Sequence, residues 1–266
     1  MPPAFADLSL LRNEMDVIFS RCCFGVFESA IFMSGYSILK AIYRGMGSPA
    51  DKLIFSGETW VSRGFLRAKG WLENRATHDE IYDRQYYAKY FDEVAESAVP
   101  MAALIVEREA PRTCIDVGCG SGEVLLEMSK LGVSCVGFDN SSAALEICRE
   151  RGLEVHQLDL TAGTKPTKSA DLVISTEVAE HLPPEIADAY VAYLVASGDV
   201  IYMTAATPGQ GGTMHLNEQP YEYWIEKFQA AGVTYDQAGT ESAREIWAAN
   251  GVEPSRAWNL LIFRKG

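Results

Sequence analysis

The chain has 266 residues, 48% of them hydrophobic, and a formal charge of −13. That is enough apolar material for one large domain, or for a standard domain with an extension. A field of that sign repels phosphate backbones and argues against nucleic acid as the default partner, although a local basic patch is compatible with it.

The charge is uneven. Residues 1–75 carry nine Lys/Arg against seven Asp/Glu, which leaves 14 against 29 for the rest. A nearly neutral, aromatic front followed by a strongly acidic back suggests two units, 1–76 and 77–266. The six cysteines, Cys22, Cys23, Cys114, Cys119, Cys135 and Cys148, show no CxxC pair and no disulfide spacing, which fits a reducing cytoplasm. Asp7, Glu14 and Asp16 lie where a secretory leader would need a basic start and an apolar run.

In chain order, residues 8–45 read as one or two helices, with Val17, Ile18, Phe24, Phe27, Ile31, Ile38 and Ile42 at helical spacing. Within them, Cys22–Leu39 is apolar but is interrupted by Glu28 and flanked by Arg21 and Lys40. It reads as packing inside the protein or against a partner rather than as a transmembrane span, with membrane-surface contact as the lesser alternative. Gly45, Gly47 and Pro49 end this unit. Trp60, Phe65 and Trp71, beside Arg63, Arg67 and Lys69, suggest a short helix next to an aromatic patch.

Residues 78–107 are again helical in pattern, with Tyr82, Tyr86, Tyr87 and Tyr90 at the front. After Pro111 the character changes. Strands are expected near 112–117, 133–138, 153–157, 171–176, 198–204, 232–236 and 257–263. Helices are expected near 122–131, 141–151, 184–197, 219–231 and 240–250. Alternation of this kind implies an α/β fold with a parallel sheet covered on both faces. The long connection 237–256 would let the final strand insert antiparallel.

Asp116-x-Gly118-x-Gly120-x-Gly122 lies between the first strand and a helix beginning at Glu123. The glycines permit a tight turn and close approach of a ligand to the backbone, and the helix N-terminus offers unpaired N–H groups. A glycine-rich loop is shared with dinucleotide binders. Here Glu123 stands where their third glycine would be, and Asp116 precedes the loop. A carboxylate there suits a cationic, amino-acid-type ligand better than a pyrophosphate. Asp139-Asn140 at the second strand tip can take both hydroxyls of a ribose. Asp159-Leu160 at the third can hold an adenine amino group and pack on the ring. An NAD(P)-dependent oxidoreductase is the competing enzyme class that these acids disfavour.

Taken in order, Ile115-Asp116-Val117-Gly118-Cys119-Gly120-Ser121-Gly122, Asp139, Asp159-Leu160 and Asp171–Glu177 resemble the class I S-adenosylmethionine (SAM)-dependent methyltransferases, from about residue 80 to the end. The resemblance implies a Rossmann-like seven-stranded sheet of order 3-2-1-4-5-7-6 with helices on both faces. It also implies SAM held by Asp116, Gly118, Gly120, Gly122, Asp139, Asn140, Asp159, Leu160 and Thr176. A helix carrying Tyr86, Tyr87 and Tyr90 would act as a lid, or equally as an amphipathic face packed on the domain.

Two further loops border the methyl group in such a fold. One is Glu177-x-x-Glu180-His181-Leu182, and the other runs from Gly209 to Pro220 with His215 in it. His181 and His215 are two of only four histidines, and imidazole suits removal of a proton from a hydroxyl near neutral pH. The set Glu177, Glu180, His181, His215 resembles the ExxEH…H metal site of small-RNA 2′-O-methyltransferases, which implies Mg²⁺ or Mn²⁺. Its alternative is a metal-free loop in which the same residues cap a helix and line the pocket. The run from Gly211 to Trp224 is similar, more loosely, to a loop in bacterial glycan and natural-product methyltransferases. O-methylation of a sugar, glycan or natural-product hydroxyl is therefore the expectation. N-methylation of a small molecule, 2′-O-methylation of a small RNA and a SAM-binding scaffold are its alternatives. Nothing in the sequence sets an oligomeric state.

Overall fold

The computed structural model describes residues 78–266. The expectations for residues 1–77 lie outside them. The chain divides into two compact units, Met1–Glu80 and Ile81–Gly266, and the described residues are those of the second unit with the last few of the first. A short helix, α1, spans His78–Ile81 and is followed by the long α2, Arg84–Glu109. The predicted single helix is broken at Tyr82-Asp83 because Asp83 is an N-cap. Its side chain accepts from the N–H groups of Gln85 and Tyr86 at 3.0 and 2.8 Å, satisfying donors that the first helical turn leaves open.

The strands are β1 Thr113–Val117, β2 Ser134–Asp139, β3 Val155–Gln157, β4 Ala170–Thr176, β5 Gly198–Thr204, β6 Thr234–Tyr235 and β7 Leu260–Arg264. They form one seven-stranded sheet in the order β3-β2-β1-β4-β5-β7-β6. The first five are parallel, and β7 runs antiparallel to β5 and β6, as the fold expectation has it. Between them lie α3 Glu123–Lys130, α4 Ser142–Glu150, α5 Ala187–Ser197, α6 Tyr221–Ala230, α7 Gln237–Ala249 and α8 Pro254–Asn259.

The strands are apolar on both sides because both faces are covered. In β7, Leu260 and Ile262 join one core while Leu261 and Phe263 join the other. β4 divides Leu172 and Ile174 from Val173 in the same way, which is the two-residue period of a strand. One core takes Tyr190, Trp224 and Phe228 from α5 and α6. The other takes Met101 and Ile105 from α2 and Trp247 from α7.

α8 departs from expectation, since residues 257–259 read as part of the last strand. Pro254 opens the helix with its fixed φ, and the Glu253 side chain accepts from the Arg256 N–H at 3.1 Å. A local cap therefore outweighs the apolar run that follows it. Among the described residues no helix is long and apolar enough to cross a membrane.

Candidate active site

The glycine loop leaves β1 and enters α3. Gly118, Gly120 and Gly122 have φ of +78, +53 and +83°, a region that costs an L-residue about 1–2 kcal/mol. Space forbids side chains at Gly118 and Gly122 as well. A Cβ on Gly118 would strike Val178, and one on Gly122 would lie 2.7 Å from both Cys148 Sγ and Leu153 Cδ1. The Gly118 and Cys119 N–H groups donate to the Phe138 carbonyl at 2.7 and 3.0 Å, tying the loop to the tip of β2.

Asp116 is buried, and its Oδ1 has no hydrogen-bond partner. Burial, and after it the nearby Cys135, Asp139 and Glu123, push its carboxyl well above the usual range. A buried carboxyl in that condition is stabilised by a cationic group. Asp139 accepts from the Gly120 N–H through Oδ2 and from the Ser141 N–H through Oδ1, both at 2.8 Å. It thus braces the glycine loop against the N-terminus of α4, and Asn140 follows it half-buried. Asp159 is exposed and caps the 3₁₀ turn Leu160–Ala162 by accepting from the Thr161 N–H at 2.8 Å and its hydroxyl at 2.6 Å. Leu160 beside it is half-buried.

Glu123 is buried and bonded on both sides. The Ser121 hydroxyl donates to it at 2.8 Å and Arg151 pairs with it at 2.8 Å. Arg151 also donates to the Ser121 carbonyl at 2.7 Å. Glu123 is therefore a neutralised brace of the loop, whereas the Asp116 Oδ1 is left without a partner.

The second half of the site lies at the ends of β4 and β5. Thr176 ends β4 opposite Thr204. Glu177 follows with φ of +54°, its N–H donating to the Thr204 hydroxyl at 3.0 Å. Glu180 and His181 sit in the 3₁₀ turn Ala179–His181. The Glu180 carbonyl accepts from the Leu216 and Asn217 N–H groups at 2.7 and 3.0 Å, which brings the His215 loop across to it. The result is a cluster in which Glu180, His181 and His215 each offer a ligand atom within 4.8 Å of the others. The two imidazoles meet edge to face at 5.0 Å. Glu177 stands beside this trio rather than in it, close enough to act on Glu180 electrostatically.

Glu180 is fully buried, and neither carboxylate oxygen has a partner of normal hydrogen-bond geometry. Burial first, and then the Glu177 carboxylate, push its carboxyl well above the ordinary range; nearby backbone N–H groups offset only part of this. His181 Nδ1 is 3.1 Å from the Tyr82 hydroxyl and 3.3 Å from the Met214 carbonyl. A carbonyl only accepts, so an Nδ1–H shared between these oxygens satisfies both contacts and leaves the lone pair on Nε2. His215 Nδ1 is 2.8 Å from Glu218 Oε1. Glu218 also accepts from the Gly209 and Gly211 N–H groups, each at 2.7 Å. The contact with His215, followed by these backbone donors, holds the Glu218 carboxyl below the usual range. Two of the three non-glycine residues with positive φ among the described residues, Glu177 and Met214, flank this cluster. Strained backbone of that kind concentrates at functional sites.

The profile of a methyltransferase-domain family matches residues 82–238, more than half of the chain. The chain belongs to the class I SAM-dependent methyltransferases. Among curated proteins it is similar to the ubiquinone biosynthesis O-methyltransferase of Nitrosomonas europaea, 31% identical over 122 residues, which are 43% of this chain and 48% of that protein. It is similar also to the trans-aconitate 2-methyltransferase of an Acidovorax species, 35% identical over 103 residues, 37% and 38% of the two chains. The chain thus spans about half or less of the length of these relatives. Among solved structures, the sugar N-methyltransferase KedS8 of Streptoalloteichus superposes with a TM-score of 0.54 at 16% identity, covering 71% of this chain and 94% of that one. The magnesium protoporphyrin IX methyltransferase of Synechocystis, solved with S-adenosylhomocysteine (SAH), does so with 0.52 at 14% identity, covering 77% and 99%. At these identities the two structures speak for the fold.

The methyltransferase's residues fit its cofactor, SAM. The buried, unpaired Oδ1 of Asp116 suits an ammonium group, and the positive φ of the loop glycines makes the tight turn that lets a ligand approach the backbone after β1. α2 covers this side of the site. Tyr87 reaches Gly120, with its ring 3.5 Å from where a Cβ would lie. The Tyr82 carbonyl accepts from the Ser141 hydroxyl at 2.8 Å. Trp224 is part of the core, and Tyr221 opens α6 with its hydroxyl donating to the Trp258 carbonyl. Sequence reasoning missed Glu218 and Tyr82 as site residues. Glu218 had one usable signal, an acid three residues after the loop histidine. Tyr82 had none, since only the fold carries it to His181.

Proposed function

We propose that this methyltransferase moves the methyl group of SAM to a hydroxyl oxygen of a small-molecule acceptor, in the class of sugars, glycans and polyol natural products. The observation that carries this reading is the trio of buried Glu180 and half-buried His181 and His215 at the ends of β4 and β5. Attack on a sulfonium methyl needs an in-line nucleophile held close, and a hydroxyl also has to lose its proton. Nε2 of His215 takes that proton. The oxygen lone pair forms the new C–O bond as the methyl–sulfur bond breaks. The electron pair of that bond stays on sulfur, leaving neutral SAH. His181, tied to Tyr82 and Met214, lines the acceptor side, while Asp116, Gly118, Gly120, Gly122, Asp139, Asn140, Asp159, Leu160 and Thr176 serve the cofactor.

The same trio fits a divalent cation, Mg²⁺ or Mn²⁺. The two partnerless oxygens of buried Glu180 support this reading, because a buried carboxylate is costly without a cation. With an ion bound, Glu180, His181 and His215 would hold it, with Glu177 beside them; His215 would then be a ligand rather than the base, and the ion would lower the pKa of an acceptor hydroxyl. The test is transfer of labelled methyl from SAM to a panel of methyl glycosides, polyols, catechol and amino sugars, after EDTA treatment and after Mn²⁺ or Mg²⁺ add-back. Labelled methyl on oxygen is expected, with loss in EDTA and recovery on add-back. Full turnover in EDTA removes the cation, and label found only on nitrogen removes the hydroxyl acceptor.

A further inference from the structure

We propose that Glu218 is the positioning residue of this site: its carboxylate, anchored on the Gly209 and Gly211 N–H groups, fixes the tautomer and ring orientation of His215. The inference rests on the reading of His215 as the residue that serves the acceptor.

The segment from Gly209 to Glu218 contains three glycines whose presence has two different causes. Gly209 and Gly211 have φ of +89 and +70°, and a Cβ on either would meet nothing within 4 Å. Crowding therefore does not explain them. What the left-handed backbone achieves is to aim both N–H groups at one carboxylate, at 2.7 Å each. Gly212 has no such φ, but the His215 ring lies against it and any side chain there would overlap the ring. The loop thus seats the carboxylate on one side and leaves a slot for the imidazole on the other.

The dyad itself is well enclosed, with the His215 and Glu218 side chains 12% and 19% exposed. A carboxylate that already accepts two backbone N–H groups remains acceptor-only, so the 2.8 Å contact puts hydrogen on His215 Nδ1. The lone pair then falls on Nε2, as needed to take a proton or to ligate an ion. Carboxylates that fix a histidine in this way orient it and raise its basicity. A carboxylate that only pinned the loop would need the two N–H contacts and not the third.

The tautomer can be read without acceptor or turnover, by long-range proton–nitrogen NMR on the full chain labelled at histidine nitrogen, with SAH and EDTA present. The His215 signal is identified by its loss in His215→Ala. The wild type is expected to show Nδ1–H, and Glu218→Ala, which removes the acceptor, is expected to shift His215 toward Nε2–H. SAH affinity should stay within about twofold, since the cofactor side is untouched. Glu218→Asp, which keeps a carboxylate, should return at least part of the Nδ1–H form. A wild-type His215 protonated on Nε2, or a tautomer unchanged in Glu218→Ala, overturns the proposal. Full activity of His215→Ala would instead overturn the functional reading and leave the tautomer result standing.

Discussion

The tips of β1 to β3 and the tips of β4 and β5 hold two halves of one site, and they are built by different means. The half proposed for the cofactor is made by backbone. Three glycines turn the chain between β1 and α3, and Asp139, only 19 residues on from Gly120, braces that turn through two N–H bonds. The chemical half is made by side chains and strain. Glu177 and Met214 adopt positive φ without being glycine. The trio joins residues more than 30 positions apart, and the Glu180 carbonyl is the point that draws the second loop in. A half made of backbone tolerates change in most side chains but not in its glycines. A half made of side chains loses function one residue at a time while keeping its fold.

The sharpest way to break this contrast is His215→Ala. Loss of the group proposed to handle the acceptor proton should lower turnover by about 10²–10⁴-fold, while SAH affinity and thermal stability stay near wild type. Calorimetry with SAH beside a radiolabelled methyl-transfer assay checks both. Weakened SAH binding would mean that the halves are not separable.

Next in size comes the backbone half. Gly118→Ala meets both the φ penalty and overlap with Val178. About 2–4 kcal/mol of stability should be lost, and SAH affinity should fall at least about tenfold. Gly152→Ala is the control, because its φ is +75° with nothing within 4 Å. It should cost only about 1–2 kcal/mol and leave SAH binding unchanged. Equal effects of the two on SAH would show that the loop geometry is not what holds the cofactor.

This division also explains what was legible in the sequence. Backbone devices leave fixed signatures, so Asp116, the glycines, Asp139 and every strand were readable from local pattern, as was the antiparallel last strand. Glu123 was read by its charge alone, because Arg151, its partner, lies 28 residues away in sequence and is brought to it by α4. α8 was hidden by an apolar run that continues into β7, although Pro254 was in plain view. The resemblance to an ExxEH…H metal site groups Glu177 with Glu180. A left-handed φ at a non-glycine position sets it beside the trio, and spacing carries no sign of that. Tyr82 is the extreme case, 99 residues from the histidine that it touches.

Tyr82 is also where the two halves meet, and it gives the smallest and most discriminating effect. Its carbonyl binds Ser141, the N-cap of α4 on the cofactor side, while its hydroxyl contacts His181 on the chemical side. The ring packs edge-on against Tyr86 with centroids 4.9 Å apart. Tyr82→Phe keeps the carbonyl and the ring and deletes only the hydroxyl. One hydrogen bond is worth about 0.5–1.5 kcal/mol, so turnover should fall by about two- to tenfold with SAH affinity unchanged. The expected signature is a change in kcat, or in KM for the acceptor, with no change in KM for SAM. A rise in KM for SAM would place the hydroxyl in the cofactor half and make the Tyr82-Asp83 turn one cooperative unit with the glycine loop. An unaffected enzyme would show that the Tyr82 hydroxyl does not position His181.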